Sequence, residues 1–272
     1  MKLEGTGEIE RERAVQGRAW DEVHLGYFSD PGAADVLVES ILRRAKEIRP
    51  EAVADLGGGT GFILAELARR GLEPGIGLVN LDVSPAQLAA VRNRRIRRVR
   101  GSVAGFRREE ILDSGGAILF VMRSVLHYLG PEGVPAALGH IRDQARMGEY
   151  FIHQTACFDR VRDAACLNAV YAGMGTAKRY PATRELTGQL EAAGFTVIES
   201  RPAPPLILAS KELGRRYGLS REEMEEVGRR VRESFGEIPG VFRSGRDGFT
   251  AYLNYRVFVT RASSPNRKRD RE

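Results

Sequence analysis

Asp55, Gly57, Gly58, Gly59 and Gly61 stand together in the stretch AVADLGGGTGFILAELARRG, residues 52 to 71. Glycine weakens helices and strands alike, so a cluster this dense needs a geometric reason, and the usual one is a ligand lying against bare backbone. Three kinds of loop compete. One that holds a nucleoside triphosphate would end in Gly-Lys-Ser/Thr, which is absent here. A dinucleotide fingerprint needs G-x-G-x-x-G, but counting from Gly57 reaches Gly59 and then Phe62. The spacing present is Asp55-x-Gly57-x-Gly59-x-Gly61. An aspartate at a strand end, beside a helix N-terminus, would oppose a pyrophosphate and suit an ammonium group. A zwitterionic amino-acid tail fits that arrangement.

Other residues could take part in chemistry. His127, in RSVLHYL, titrates near neutral pH and could accept a proton from a reacting group. His153, in FIHQTACF, could face the same pocket or be a partly buried polar residue. Arg123 could hydrogen-bond a substrate or cofactor carboxylate, or form a structural ion pair. Cys157 and Cys166 are the two cysteines of the chain, too few for a disulfide scaffold, and no metal site is expected.

These residues must be held by something, and the middle of the chain alternates strand-like and helix-like segments, the pattern of a parallel α/β sheet. Strands are expected at 51–56, 75–82, around 97–103, 116–122 and 149–158, with two more beginning at Phe195 and running through TAYLNYRVFVT. Ser84, Pro85 and Gln87 form a capping-box helix start, and Ser220 with Glu223 another. Two insertions, about 158–182 and 204–247, interrupt the alternation. Their Tyr171, Met174, Tyr180, Leu206, Leu208 and Tyr217 could line an acceptor pocket or pack the insertions.

The 272 residues suffice for one large domain, and 42% hydrophobic with 29% charged content is ordinary for a globular protein. No apolar run long enough for a membrane span and no secretory leader is evident, so a cytoplasmic location is expected. The net charge of +6 includes one dense arginine run, RNRRIRR at 92–98, read as a solvated face in preference to a nucleic-acid patch. The last residues, 263–272, mix both signs and are expected to be a disordered tail.

DLGGGTG resembles the first motif of the class I S-adenosylmethionine-dependent methyltransferases, and the resemblance extends in segment order from about 33 to 261. Asp82, closing VNLD, matches the acidic residue that holds the cofactor's ribose hydroxyls in that family. ILFVMRSVLHYL resembles the fourth-strand segment, and LEAAGF the passage before the late strands. The resemblance implies a Rossmann-like, doubly wound, seven-stranded and mostly parallel sheet with one antiparallel strand and helical insertions. It implies S-adenosylmethionine as cofactor, bound by Asp55, Gly57, Gly58, Gly59, Gly61, Asp82, Val83, Ser102, Val103 and Arg123. Two departures stand out: Ser102 and Val103 occupy the third-strand end where the family often has an acid, and Gly115-Gly116 precedes the fourth strand where an aspartate is common.

His127 falls where small-molecule O-methyltransferases of the plant type carry a base, so His127, and after it His153, are the catalytic candidates. His24, Tyr27 and the rest of segment 1–32 could form a lid over the cofactor. Methyl transfer to a small organic acceptor, at a hydroxyl oxygen, is the expected reaction. An RNA or protein methyltransferase and a cofactor-binding protein without transfer are the alternatives. The Asn/Asp-Pro-Pro-Tyr segment used on base amino groups is absent, which disfavours nucleic acid as partner. A homodimer is compatible with the sequence.

Overall fold

The computed structural model describes residues 26–246 and 248–263. His24, most of the expected lid segment and residues 264–272 lie outside the described residues.

The first described helix, α1 (Pro31–Ile48), starts where its sequence says it should. Pro31 opens the first turn, and the Asp30 carboxylate accepts from Gly32 N at 2.8 Å. Next come β1 (Ala52–Leu56), α2 (Phe62–Arg69), β2 (Gly77–Asp82), α3 (Pro85–Ala89), β3 (Ile96–Arg100), α4 (Arg108–Ile111) and β4 (Ile118–Arg123). A single 3-10 turn (Leu126–Tyr128) leads into α5 (Gly130–Gln144) and β5 (Tyr150–Ala156). The chain continues through α6 (Val161–Gly173), α7 (Thr183–Ala192), β6 (Phe195–Ala209), α8 (Ser210–Tyr217), α9 (Arg221–Phe235), β7 (Phe242–Gly245) and β8 (Gly248–Ala262).

The strands form one sheet in the order β3-β2-β1-β4-β5-β8-β6, with β7 paired to β8. The first five are mutually parallel, and β8 runs against β5, β6 and β7. The expected single antiparallel strand is therefore β8. The expected count of seven becomes eight, because the second insertion contributes β7 as a hairpin partner of β8. That insertion also starts later than 204: β6 continues to Ala209, past register shifts at Val197/Glu199 and Ala203/Leu206. Such bulges let a strand carrying Pro202, Pro204 and Pro205 stay on the sheet edge, where missing N–H donors cost no ladder bond.

Alternation across the pleat builds a core on each face. Ala52, Ala54 and Leu56 point to one side with Phe120, Met122 and Phe151, while Val53 points to the other with Leu37, Ile41, Leu119 and Ile152. A third cluster joins α6, α8 and α9 to the ends of β6 and β8. The six insertion residues singled out above belong to it, each at most 7% exposed. They pack the insertions together. One of the two expected capping boxes forms in full: Ser220 and Glu223 bond reciprocally, whereas at Ser84 only the cap half is present, Gln87 N reaching Ser84 Oγ at 3.4 Å while Ser84 N donates to Asp82.

The arginine run occupies the exposed edge at β3. Arg95 donates to Pro74 O, Arg97 to the carbonyls of Glu110 and Ile111, and Arg98 to Val91 O. No described helix is long and apolar enough to cross a membrane, and the described residues contain no cluster of three or more metal-ligating side chains.

Candidate functional site

Strand order reverses between β1 and β4, and in sheets of this type the ligand crevice opens outside the carboxyl ends of the strands at that switch point. A cavity of about 190 Å³ lies there. Its wall includes Asp55 near the end of β1 with Gly57, Gly58 and Gly59 after it, Asp82 at the end of β2 with Val83 after it, Ser102 and Val103 after β3, and Arg123 at the end of β4. Of the ten expected cofactor residues, the structure brings nine to this one cavity. Gly61 is the exception. Its φ of 77° starts α2, and its Cα packs toward Val91 and Ile96.

The glycine loop is shaped by close approach. At Gly57 (φ 76°) an added Cβ would sit 2.6 Å from Val125 Cγ2, and at Gly58 it would sit 2.6 Å from Asp55 Cγ and closer still to Asn80. The turn is pinned from below: Gly57 N donates to Leu81 O at 2.7 Å, and Asn80 Nδ2 donates to Gly59 O at 2.8 Å. Asp82 completes the cradle. One carboxylate oxygen accepts from Gly59 N at 2.9 Å, the other from Ser84 N at 2.8 Å. A carboxylate is acceptor-only, and a vicinal diol offers two donors of matching chemistry.

Asp55 is the anomaly of the site. Its side chain is 1% exposed, and neither oxygen has a hydrogen-bond partner. Burial, and then the charge of Asp82, push its carboxyl up to about 7, with Arg123 acting in the opposite direction. A buried, unpartnered carboxylate is costly in the free protein, and a cationic ligand group removes the cost. Arg123 lies at the far side, with its guanidinium donating to Phe28 O at 3.1 Å and Tyr27 O at 3.3 Å and stacking over the rings of Tyr27, Phe28 and Phe62. Among the described residues Arg123 is in no ion pair, and it is buried. It fastens residues 27 and 28 to the cavity mouth, while its Nε remains without a partner. Tyr27 is tied a second time, through its phenol to Pro204 O at 2.6 Å, which gives this part of the expected lid a defined seat.

The two histidines are not brought to the cavity. His153 is fully buried, with its ring stacked between Phe151 and Phe258 and Nδ1 2.7 Å from Thr155 Oγ1. Burial pulls it down to about 3, so it stays neutral at physiological pH. Its position on β5 alternates into the sheet's own core. His127 sits in the 3-10 turn, stacked on Tyr128 and Tyr180, and faces Pro131, Pro181 and Leu186. Its neighbours Val125 and Tyr128 reach the cavity instead. The 3-10 turn rotates successive side chains by about 120°, a phase that linear sequence does not reveal. Residues the sequence reading passed over also line the wall, among them Phe28, Phe62, Ser124 and Tyr128. Ser124 and Tyr128 flank residues already singled out, but no residue pattern marked them.

A family model described as "Methyltransferase domain" matches residues 33–200. The chain belongs to this family: it is a class I S-adenosylmethionine-dependent methyltransferase. No curated protein matches it significantly. Among solved structures, the Bacillus halodurans protein BH2331 superposes with a TM-score of 0.63 at 13% identity, covering 84% of this chain and 99% of that one. Burkholderia thailandensis 1,6-didemethyltoxoflavin-N1-methyltransferase, solved with S-adenosylhomocysteine, gives 0.54 at 17% identity over 97% and 91%. Human N-acetylserotonin methyltransferase, solved with S-adenosylmethionine, gives 0.52 at 15% identity over 94% and 57%.

The cavity residues fit that cofactor. The unpartnered Asp55 suits an ammonium, the Arg123 guanidinium a carboxylate, the acceptor oxygens of Asp82 a ribose diol, and the bare glycine backbone a close-lying chain. Asp55 makes this testable through pH. The ionised form binds an ammonium and the protonated form does not, so affinity should fall as pH drops through about 7. Titration calorimetry with S-adenosylhomocysteine is expected to show binding close to tenfold weaker at pH 6 than at pH 7.5, and Asp55→Asn should bind weakly with a flat profile.

Proposed function

We propose that this protein transfers the methyl group of S-adenosylmethionine to a small organic acceptor, with a hydroxyl oxygen as the first acceptor class to test. The observation that carries the reading is the cavity's opposed charges, with Asp55 and Asp82 on one side and Arg123 on the other, around a glycine cradle. When bound, the cofactor supplies an electrophilic methyl on a sulfonium. The work left to the chain is to hold the amino-acid and ribose ends, to align the acceptor and to exclude water. Asp55, Asp82 and Arg123 serve the first task. Phe28 and Phe62, held around the Arg123 guanidinium, serve the last.

The placement of His127 and His153 favours a second reading of the acceptor atom. With neither histidine on the cavity wall, a hydroxyl acceptor must arrive as a phenolate or similar anion. An amine or heterocyclic nitrogen needs no base before transfer. Both readings share the small-molecule class, which the lack of a base-amino motif and the modest cavity support. One structural neighbour is a 1,6-didemethyltoxoflavin-N1-methyltransferase, which makes the nitrogen reading concrete.

The test is a tritiated methyl-transfer assay over phenols, hydroxy acids, amines, nitrogen heterocycles and RNA, with His127→Gln alongside the wild type. Transfer to a phenol that collapses in His127→Gln would restore that histidine as base. Transfer that survives the substitution supports the reading above, and transfer confined to RNA would overturn it.

A further inference from the structure

A lysine is buried beside the turn that follows β4. Between α6 and α7 the chain alternates in exposure: Met174, Thr176, Lys178 and Tyr180 are buried, while Gly175, Ala177 and Arg179 between them are exposed. The inward direction of Lys178 is fixed from both sides. Asn168 on α6 donates to Tyr180 O at 2.9 Å and accepts from Tyr180 N at 2.8 Å, and Thr176 N donates to Tyr171 O at 3.1 Å. Arg179 carries the adjacent cation outward to Glu185, so an exposed place for a charge is one residue away. An ammonium in the interior is expensive beside an apolar side chain of similar length, which calls for a reason to keep it.

The surroundings of this ammonium are aromatic. Lys178 Nζ donates to Tyr217 Oη at 2.7 Å and lies 4.9 Å from the ring centroid of Tyr128, with the rings of Tyr217 and Tyr171 at 5.3 and 5.9 Å. Of these four residues it is Tyr128 that lines the cofactor cavity, so Tyr128 connects the buried ammonium to the cavity. A cation over a ring face draws electron density from it, which makes the ring edge and the phenol O–H better partners for a negative atom. In the reading above Asp55, Asp82 and Arg123 serve the two ends of the cofactor. The turn carrying Tyr128 is wall that those ends do not claim.

We infer that the acceptor is a small aromatic anion selected by Tyr128, with Lys178 acting through the Tyr128 ring as a positioning residue. The inference deepens the small-acceptor reading and rests on it. Tyr128 meets the negative oxygen with its hydroxyl, and Phe28, on the wall of the same cavity, offers a ring to a planar acceptor. The same charge favours a phenolate or carboxylate and disfavours a protonated amine. Methylation at the charged oxygen cancels its charge, so the product is held less tightly than the acceptor.

The test uses the whole chain saturated with S-adenosylhomocysteine, so that the cofactor's ends are engaged. Two probe pairs of similar shape are titrated by calorimetry: 4-nitrophenolate with 4-nitroanisole, and benzoate with benzamide. In at least one pair the anion is expected to bind about tenfold more tightly than its neutral partner, the scale of a partly buried charge acting across several ångströms. In Lys178→Met that preference should vanish, with the loss falling on the anion. Tyr128→Phe keeps the ring and removes the hydroxyl, and should reduce the preference about threefold. Lys178→Met should melt at or above the wild-type temperature, because it removes a buried ammonium; if it does not fold, Tyr128→Phe still decides the matter.

An absent preference in both wild-type pairs, or no binding of any of the four probes, would overturn the inference and leave the cofactor site standing. A preference that survives Lys178→Met, or an equal loss for both members of a pair, would also overturn it, since Lys178 would then only pack the turn. Failure of the wild type to bind S-adenosylhomocysteine, or transfer confined to RNA in the assay above, would instead remove the reading beneath it.

Discussion

Replacing Asp82 by alanine is expected to weaken S-adenosylhomocysteine binding by at least about a hundredfold. The carboxylate has two functions that fail together. Its oxygens accept from Gly59 N and Ser84 N, tying the glycine loop to the start of α3. Asp82 also lines the cavity, where its acceptor oxygens suit a diol. Hydrogen bonds to a charged group contribute roughly 1.5–3 kcal/mol each, so two lost to the ligand amount to about 3–6 kcal/mol, above the 2.7 kcal/mol or so that a hundredfold represents. Asp82→Asn should fall between, because its amide oxygen replaces one acceptor while its NH2 meets a backbone N–H. Calorimetric titration of the three proteins checks the order. Wild-type affinity in Asp82→Ala would mean that the ligand sits elsewhere.

The second large effect is steric. Gly58→Ala places a methyl group 2.6 Å from the Asp55 carboxyl carbon and against Asn80, both buried. Neither neighbour can yield freely. Asn80 is holding Gly59 O, and Asp55 is packed at the end of a strand paired on both sides. Overpacking of this kind costs about 1–3 kcal/mol, which for a protein of this size lowers the melting temperature by several degrees. Displacing Asp55 also removes the ammonium partner, so binding should fall below detection even in the fraction that remains folded. Thermal unfolding followed by titration separates the two losses. A variant with native stability and affinity would show that the loop can relax, contrary to its pinned geometry. Gly59→Ala has room for its Cβ, 3.6 Å from Gln87, but is strained by its φ of 55°, so it should cost less than Gly58→Ala.

Both effects fall on residues that were legible in the sequence, and the reason is local. A glycine cluster after an apolar strand has few physical explanations, and an acid two residues before it selects among them. The parallel sheet was legible for the same kind of reason. Apolar runs such as GAILFVM and EYFIHQTACF allow little besides buried strands, and β4 and β5 lie within a residue or two of them. The serine N-caps at Ser84 and Ser220 are set by a few neighbouring residues and form as expected, while the return bond that completes a capping box forms only at Ser220, because Asp82 takes Ser84 N. Those features depend on spacing of a few residues, and spacing is what a sequence states directly.

The direction in which a side chain points is a different matter. His127 and Tyr128 are adjacent, and a quarter to a third of a turn decides which of them meets the cavity. His153 is one residue from Gln154 on β5, and pleat parity sends its ring between Phe151 and Phe258. Tyr171, Tyr180 and Tyr217 looked equally suited to a pocket or a core until α6, α8 and α9 closed on one another. The clamp of Arg123 on residues 27 and 28 arises from contacts between segments about a hundred residues apart. The sequence by itself determined the fold class and the glycine loop with its flanking acids, because each follows from local chemistry. The tertiary structure alone decided which residues share the cavity, because that depends on how distant elements rotate and pack.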